Sequence, residues 1–253
     1  MSDWNKTVEK FLEEWNKRDD LEGAILSGSY SVGTQSENSD IDIMIVLSDK
    51  DKWWERGNKE IDGYLIEYIA DPASFWEKAF DDELKSGNRV SVSMFAIGKV
   101  LIDKTGEVAR LKAKAEEIMG KPLPKLEGRT LEMAKYHLWD RMTKLQHMRQ
   151  DGFVQYAPMY YLHLSNIIGT YAKFLGISIP STSKLYKFLE DNEFREKYKL
   201  EGFNDDYFVS LAKSCLENYS NIESIEKATK YVMDKLGGIN INGWILKTEI
   251  EEK

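Results

Sequence analysis

Gly23-Ala24-Ile25-Leu26-Ser27-Gly28-Ser29, then Asp40-Ile41-Asp42-Ile43-Met44-Ile45-Val46-Leu47, and later Tyr64-Leu65-Ile66-Glu67-Tyr68-Ile69-Ala70 decide how this chain folds. Each is a short apolar run bounded by turn-forming residues, the pattern of a buried strand. The first run stops at Gly28-Ser29, a sharp turn from which Ser29-Tyr30-Ser31-Val32 can start a helix. Along the second, side chains alternate across the sheet, so Ile41, Ile43 and Ile45 share one face and Asp40, Asp42 and Met44 the other. Two acids therefore emerge side by side where the strand begins. The third run, set between Asp62-Gly63 and Asp71-Pro72, carries a single acid, Glu67. Unpaired carboxylates are costly in strands this apolar, so three of them on neighbouring strands point to a ligand.

Around these strands the periodicity turns helical. Residues 4–18 place Trp4, Val8, Phe11, Leu12 and Trp15 on one helix face. Pro72 is expected to start a second helix with Phe75, Trp76, Ala79 and Phe80 on its apolar side, and Lys99-Val100-Leu101-Ile102-Asp103 a short strand leading to a helix at 107–119. Gly120-Lys121-Pro122-Leu123-Pro124-Lys125 holds two of the five prolines and marks an expected boundary between domains 1–121 and 125–253. Helices near 131–148, 156–175, 184–189, 207–219 and 225–236 are expected beyond it. The fold class is thus α+β: an N-terminal mixed sheet flanked by helices, then a C-terminal all-α helical bundle.

Composition narrows the partners. With 35 basic against 43 acidic side chains the net charge is -8, which disfavours a long nucleic acid and suits a small or cationic acceptor. No apolar run reaches bilayer length, and Met1-Ser2-Asp3-Trp4-Asn5-Lys6 has neither part of a secretory leader, so no membrane partner is expected and the cytoplasm is the expected location. One cysteine, Cys215, cannot form an internal disulfide and fits a reducing compartment as a small apolar filler. His137, His147 and His163 lack zinc-site spacing. Tyr156, Tyr160 and Tyr161 either line an acceptor pocket or pack as core. Trp53 and Trp54 either cover a pocket or pack on the domain.

Three acids and a glycine turn suit a particular chemistry. Displacement at a nucleotide phosphorus needs charge neutralised on both the attacking and the leaving oxygen, which magnesium does on carboxylate and phosphate ligands. Asp40 and Asp42, one residue apart on a strand, can share a metal site that Glu67 completes. At Gly28-Ser29 backbone N–H groups can face phosphate oxygens, because glycine permits close approach.

The order Gly28-Ser29, ten residues, Asp40-Ile41-Asp42, then a strand with Glu67 resembles the DNA polymerase β-like nucleotidyltransferase superfamily. Within it the chain looks closest to the aminoglycoside (kanamycin-type) nucleotidyltransferases, over its whole length. That resemblance implies a nucleotidyltransferase domain followed by a helical acceptor domain, with ATP as AMP donor and two Mg2+ ions on Asp40, Asp42 and Glu67. Gly28 and Ser29 would hold the triphosphate of the nucleoside triphosphate. By the same resemblance, Leu138-Trp139-Asp140-Arg141-Met142-Thr143-Lys144 makes Asp140 the general base and Lys144 a phosphate contact, one helical turn apart. A homodimer with the active site between subunits and a role in antibiotic resistance are implied too. One departure stands out: many members carry an arginine just after the Gly-Ser turn, whereas Tyr30-Ser31-Val32-Gly33-Thr34-Gln35 has no basic side chain. Lys144 or Arg149 would then meet the triphosphate charge. Open alternatives are a lincosamide-like acceptor, a protein acceptor of the toxin-antitoxin kind, and a non-catalytic nucleotide-binding protein on the same fold.

Overall fold

The computed structural model of the chain describes residues 4–50 and 53–247. The outermost residues of the two expected domains, and the first three of the Met1–Lys6 stretch, lie outside the described residues. The chain divides into two compact units, Met1–Pro122 with Lys197–Lys199 and Leu123–Glu196 with Leu200–Lys253. None of the helices among the described residues is long and apolar enough to cross a membrane.

The first unit is a five-stranded mixed sheet. Its strands are β1 (Leu21–Leu26), β2 (Ile41–Leu47), β3 (Glu55–Ile61), β4 (Tyr64–Pro72) and β5 (Lys99–Asp103). They lie in the order β3-β4-β2-β1-β5. β1 runs antiparallel to β2 and β5, β2 parallel to β4, and β3 antiparallel to β4. Helix α1 (Trp4–Asn16) lays Val8, Phe11, Leu12 and Trp15 on the face formed by Ile41, Ile43, Ile45, Ile66 and Ala70. On the opposite face Ile25, Met44 and Val46 meet Trp76 and Phe80 of α3 (Ala73–Ser86), Phe95 of α4 (Val90–Ile97), and Leu111 of α5 (Glu107–Met119). The period-two alternation of β2 is what sorts these two cores.

Several expectations are refined. Pro72 closes β4 rather than opening α3, since its fixed φ suits the position just before a first turn; and Phe75, expected on the apolar side, is exposed while Trp76 and Phe80 are buried. The Trp53-Trp54 pair divides. Arg18 lies 4.7 Å from the Trp15 ring and 4.6 Å from that of Trp53 while its Nε and Nη2 donate to Asp20, so Trp53 packs and Trp54 stays exposed.

Among the described residues, the regular elements of the second unit are all helical: α6 (Gly128–Gln150), α7 (Tyr156–Leu175), a 3-10 turn (Thr182–Lys184), α8 (Leu185–Glu190), α9 (Asn192–Lys197, whose last residue packs with the first unit), α10 (Asp206–Glu217) and α11 (Ile222–Lys235). Tyr156 and Tyr160 are core, whereas Tyr161 is exposed. Cys215 is fully buried, and burial pushes its thiol up to about 11, which leaves it inert at neutral pH. His163 on α7 sits 2.9 Å from Thr229 Oγ1. Because the Thr229 hydroxyl has the Ile225 carbonyl at 2.7 Å to donate to, the assignment that follows is His163 Nε2–H donating to Thr229. Burial, with Arg141 adding to it, lowers His163 to about 4. Its contribution to stability is complete above the usual value of 6.5 and is lost as pH falls toward 4.

Asp71 acts in the opposite sense. It is buried at the end of β4, its Oδ1 has no hydrogen-bond partner among the described residues, and burial raises it to about 6. Between 3.8 and about 6 the folded chain holds a proton that the unfolded chain has released, so stability falls as pH rises through that window. Asp71→Asn removes this dependence. In urea unfolding, the stability of the variant relative to the parent is expected to rise by about 2–3 kcal/mol from about pH 4 to about pH 7. A difference that does not change with pH would contradict it.

Candidate metal and phosphate site

The site begins where β1 ends. Leu26 pairs with Ile43 across the antiparallel ladder, and the N–H of Ser27 donates to the Asp42 carbonyl at 2.8 Å, so the chain turns directly beside Asp42. Ser27 Oγ donates to Met94 O of α4 at 3.1 Å. A single short helix, α2 (Gly28–Val32), follows, with Ser31 Oγ donating to Gly28 O at 2.8 Å and Gly33 closing it at φ 71. Gly28 itself has φ +62, and a β-carbon there would lie 1.8 Å from Asp42 Oδ2 and 2.8 Å from its Cγ. A side chain there would have to displace the Asp42 carboxylate and hold a left-handed backbone, so glycine suits the turn.

The acids converge across β2 and β4. Asp42 and Glu67 are direct register partners in the parallel pair, and Asp40 stands just before β2. One oxygen from each of Asp40, Asp42 and Glu67 lies within 4.8 Å of the other two, and all three residues are partly buried. Three hard carboxylate oxygens are the donor type that magnesium takes. Since Mg–O distances are about 2.0–2.1 Å, two ligands of one ion stand at most about 4.2 Å apart. A spread of 4.8 Å is therefore met by small side-chain rotations about one ion, or by two ions shared among the acids. The donor set fits the metal.

Two further contacts escape sequence reasoning. Arg56 on β3 donates through Nη2 to Glu67 Oε1 at 3.1 Å, so a guanidinium stands beside a cluster whose Gly-Ser turn lacks a basic neighbour. Its side chain is 60% exposed, which makes the pair weak and easily exchanged for another partner. Second, the segment Lys197–Lys199 packs with the first unit: Tyr198 Oη and Thr34 Oγ1 lie 2.9 Å apart, and Lys199 donates to Ala96 O at 3.2 Å and Glu116 at 3.3 Å. Glu55-Arg56-Gly57-Asn58-Lys59-Glu60-Ile61 has too little apolar alternation to read as a strand, and no local pattern ties residue 198 to residue 34.

Asp140 and Lys144 are on α6 in the second unit. They form an ion pair of 2.7 Å, one turn apart, with Asp140 partly buried and Lys144 exposed. Arg149, the other expected phosphate contact, lies 5.3 Å from the Tyr156 ring.

Residues 8–92 match the family model of the nucleotidyltransferase domain, a segment that holds Gly28, Ser29, Asp40, Asp42 and Glu67. No curated protein matches the chain. Among solved structures it is similar to a nucleotidyltransferase-like protein from Exiguobacterium sibiricum 255-15, with 10% identity and a TM-score of 0.46, covering 92% of this chain and 75% of that one.

Gly28→Ala tests the contact between turn and acid. A methyl group on Asp42 Oδ2 and a positive φ together are expected to cost about 1–3 kcal/mol in urea unfolding. The rise in melting temperature that Mn2+ gives the parent should shrink in the same variant. Unchanged stability and metal response would show that the turn and Asp42 are not in contact.

Proposed function

We propose that the first unit binds MgATP and that the chain transfers AMP to a hydroxyl of a small acceptor. The observation that carries this is the meeting of Asp40, Asp42 and Glu67 beside a glycine turn whose β-carbon position the Asp42 carboxylate takes up, inside a segment matching the nucleotidyltransferase domain. Asp40, Asp42 and Glu67 would hold the metal, and Gly28 and Ser29 would line the triphosphate. When bound, magnesium supplies neutralisation of charge on the attacking and leaving oxygens.

The residues of the chain divide the remaining work. Gly28 brings the backbone close enough to contact phosphate oxygens, and Asp42, held by the register of β2 with β4, is placed opposite Glu67. Arg56, released from Glu67, is available to a phosphate oxygen and would replace the basic side chain missing between Tyr30 and Gln35. In the transfer, the acceptor oxygen bonds to the α-phosphorus, the bond to pyrophosphate breaks, and the hydroxyl proton passes to a carboxylate. Asp140, paired with Lys144 one turn away, is the residue we assign to that role. Amine-rich sugars of the aminoglycoside kind are the first acceptor class to test, because the net charge of -8 favours a cation.

The test is pyrophosphate release from ATP with magnesium, run against aminoglycosides, lincosamides and candidate proteins. Asp42→Asn should lower turnover by about 10³-fold or more with ATP still bound, and Asp140→Asn by about 10²–10⁴-fold. Turnover that survives without magnesium or without Asp42 would overturn the proposal. ATP binding with no turnover on any acceptor would favour a nucleotide-binding protein instead, for which the absence of a basic side chain after Ser29 is the motive.

A further inference from the structure

Three residues far along the chain, Lys197–Lys199, are part of the first unit, while the chain before and after them belongs to the second. They form a strap that starts where α9 ends. The Leu200 N–H bonds back to the Arg195 carbonyl at 2.9 Å, and Lys199 stands at φ 52, the left-handed position that closes many helices. Glycine is the usual residue there, because a side chain makes that backbone costly. Among the described residues only Asp62 and Lys199 take a positive φ without being glycine. The lysine has a use for its side chain: Nζ donates to Ala96 O of α4 at 3.2 Å and pairs with Glu116 at 3.3 Å.

What the strap grips is the glycine turn. Helix α2 has five residues, too few to stand unaided, and Ser27 caps it with no side-chain hydrogen bond. At its exit the N–H groups of Gly33 and Thr34 both bond to Ser29 O, that of Thr34 at 3.0 Å. The Thr34 hydroxyl lies 2.9 Å from Tyr198 Oη, and Tyr198 is buried. Residues 35–38 are then exposed, so Thr34 is the last point of purchase before the loop that leads to Asp40. The entry of the turn is tied to the same strap, since Ser27 Oγ donates to Met94 O and Lys199 to Ala96 O on one helix, α4.

We infer that Tyr198 is a positioning residue for the nucleotide: through Thr34 it fixes the exit of α2, while its neighbour Lys199 steadies the helix from which the entry hangs. This rests on the reading of Gly28 and Ser29 as the triphosphate contact proposed above. Backbone N–H groups bind a phosphate well when they are already aimed at it, and ordering them at the moment of binding costs affinity. A five-residue helix bounded by Gly28 and Gly33 keeps its aim through what it is tied to. Phenylalanine at 198 would fill the same space and lose only the hydroxyl.

Two measurements on the full chain test this: amide hydrogen exchange across residues 28–34 without ligand, and the Kd of MgATP, with circular dichroism to show that each variant folds. Tyr198→Phe should quicken exchange at Gly33 and Thr34 by about fivefold and raise the Kd of MgATP by a similar factor, the size expected of one hydrogen bond. Thr34→Val should do the same, and the double variant no more than either alone. Thr34→Ser, which keeps the hydroxyl, should stay with the parent. A tyrosine that merely supports the fold would lower the melting temperature and leave the Kd of MgATP unmoved. Exchange that ignores Tyr198→Phe, or a Kd that ignores it while exchange quickens, would overturn the inference. A parent chain that binds no MgATP would overturn the function proposed above instead, and the exchange result would still decide whether Tyr198 holds the turn.

Discussion

Everything at the candidate site depends on one close approach, that of Gly28 to the carboxylate of Asp42. The antiparallel pairing of β1 with β2 delivers the end of one strand to the start of the other, and the Ser27 N–H to Asp42 carbonyl bond fixes the distance. A β-carbon would stand 1.8 Å from Asp42 Oδ2 and the turn takes a positive φ, so glycine is what lets the carboxylate keep its place. Backbone suited to a phosphate and a carboxylate suited to a metal are thereby held together by the sheet itself. A loop would hold them less firmly.

The rest of the first unit maintains that approach. Ile41, Ile43 and Ile45 anchor one side of β2 on α1, and Met44 and Val46 anchor the other on the layer of α3, α4 and α5, so the strand cannot slip by a residue without exchanging acids for isoleucines. The parallel register with β4 then places Glu67 opposite Asp42. Gathering three carboxylates raises their mutual repulsion, which Arg56 relieves in part. A bound divalent cation would relieve it more fully.

Much of this was legible in the sequence, because the signals are local. The alternation in Asp40-Ile41-Asp42-Ile43 assigns faces by itself, and Gly28-Ser29 at the end of an apolar run marks the turn. What was hidden depends on contacts distant along the chain or on weak patterns. β3 is an edge strand whose residues are alternately exposed and half-buried, so it lacks the apolar beat of a core strand, and Arg56 went unseen with it. Val90-Ser91-Val92-Ser93 alternates as a strand does, yet it forms α4, where Glu83 accepts from the N–H groups of Ser91 and Val92 and so caps the helix from a distance. Tyr198 reaches Thr34 across 164 positions, beyond any local reading. The exposure of Phe75 and the burial of Trp76 show the same limit at the scale of one turn.

The role of the glycine turn and its three acids rests on where a nucleotide and its metal sit. A crystal structure of the full chain with magnesium and a non-hydrolysable ATP analogue would decide it. Metal density is expected among Asp40, Asp42 and Glu67, with the triphosphate along Gly28 and Ser29 and Arg56 drawn away from Glu67. Nucleotide bound elsewhere, or bound while the three carboxylates hold no metal and the Arg56–Glu67 pair stays intact, would contradict it.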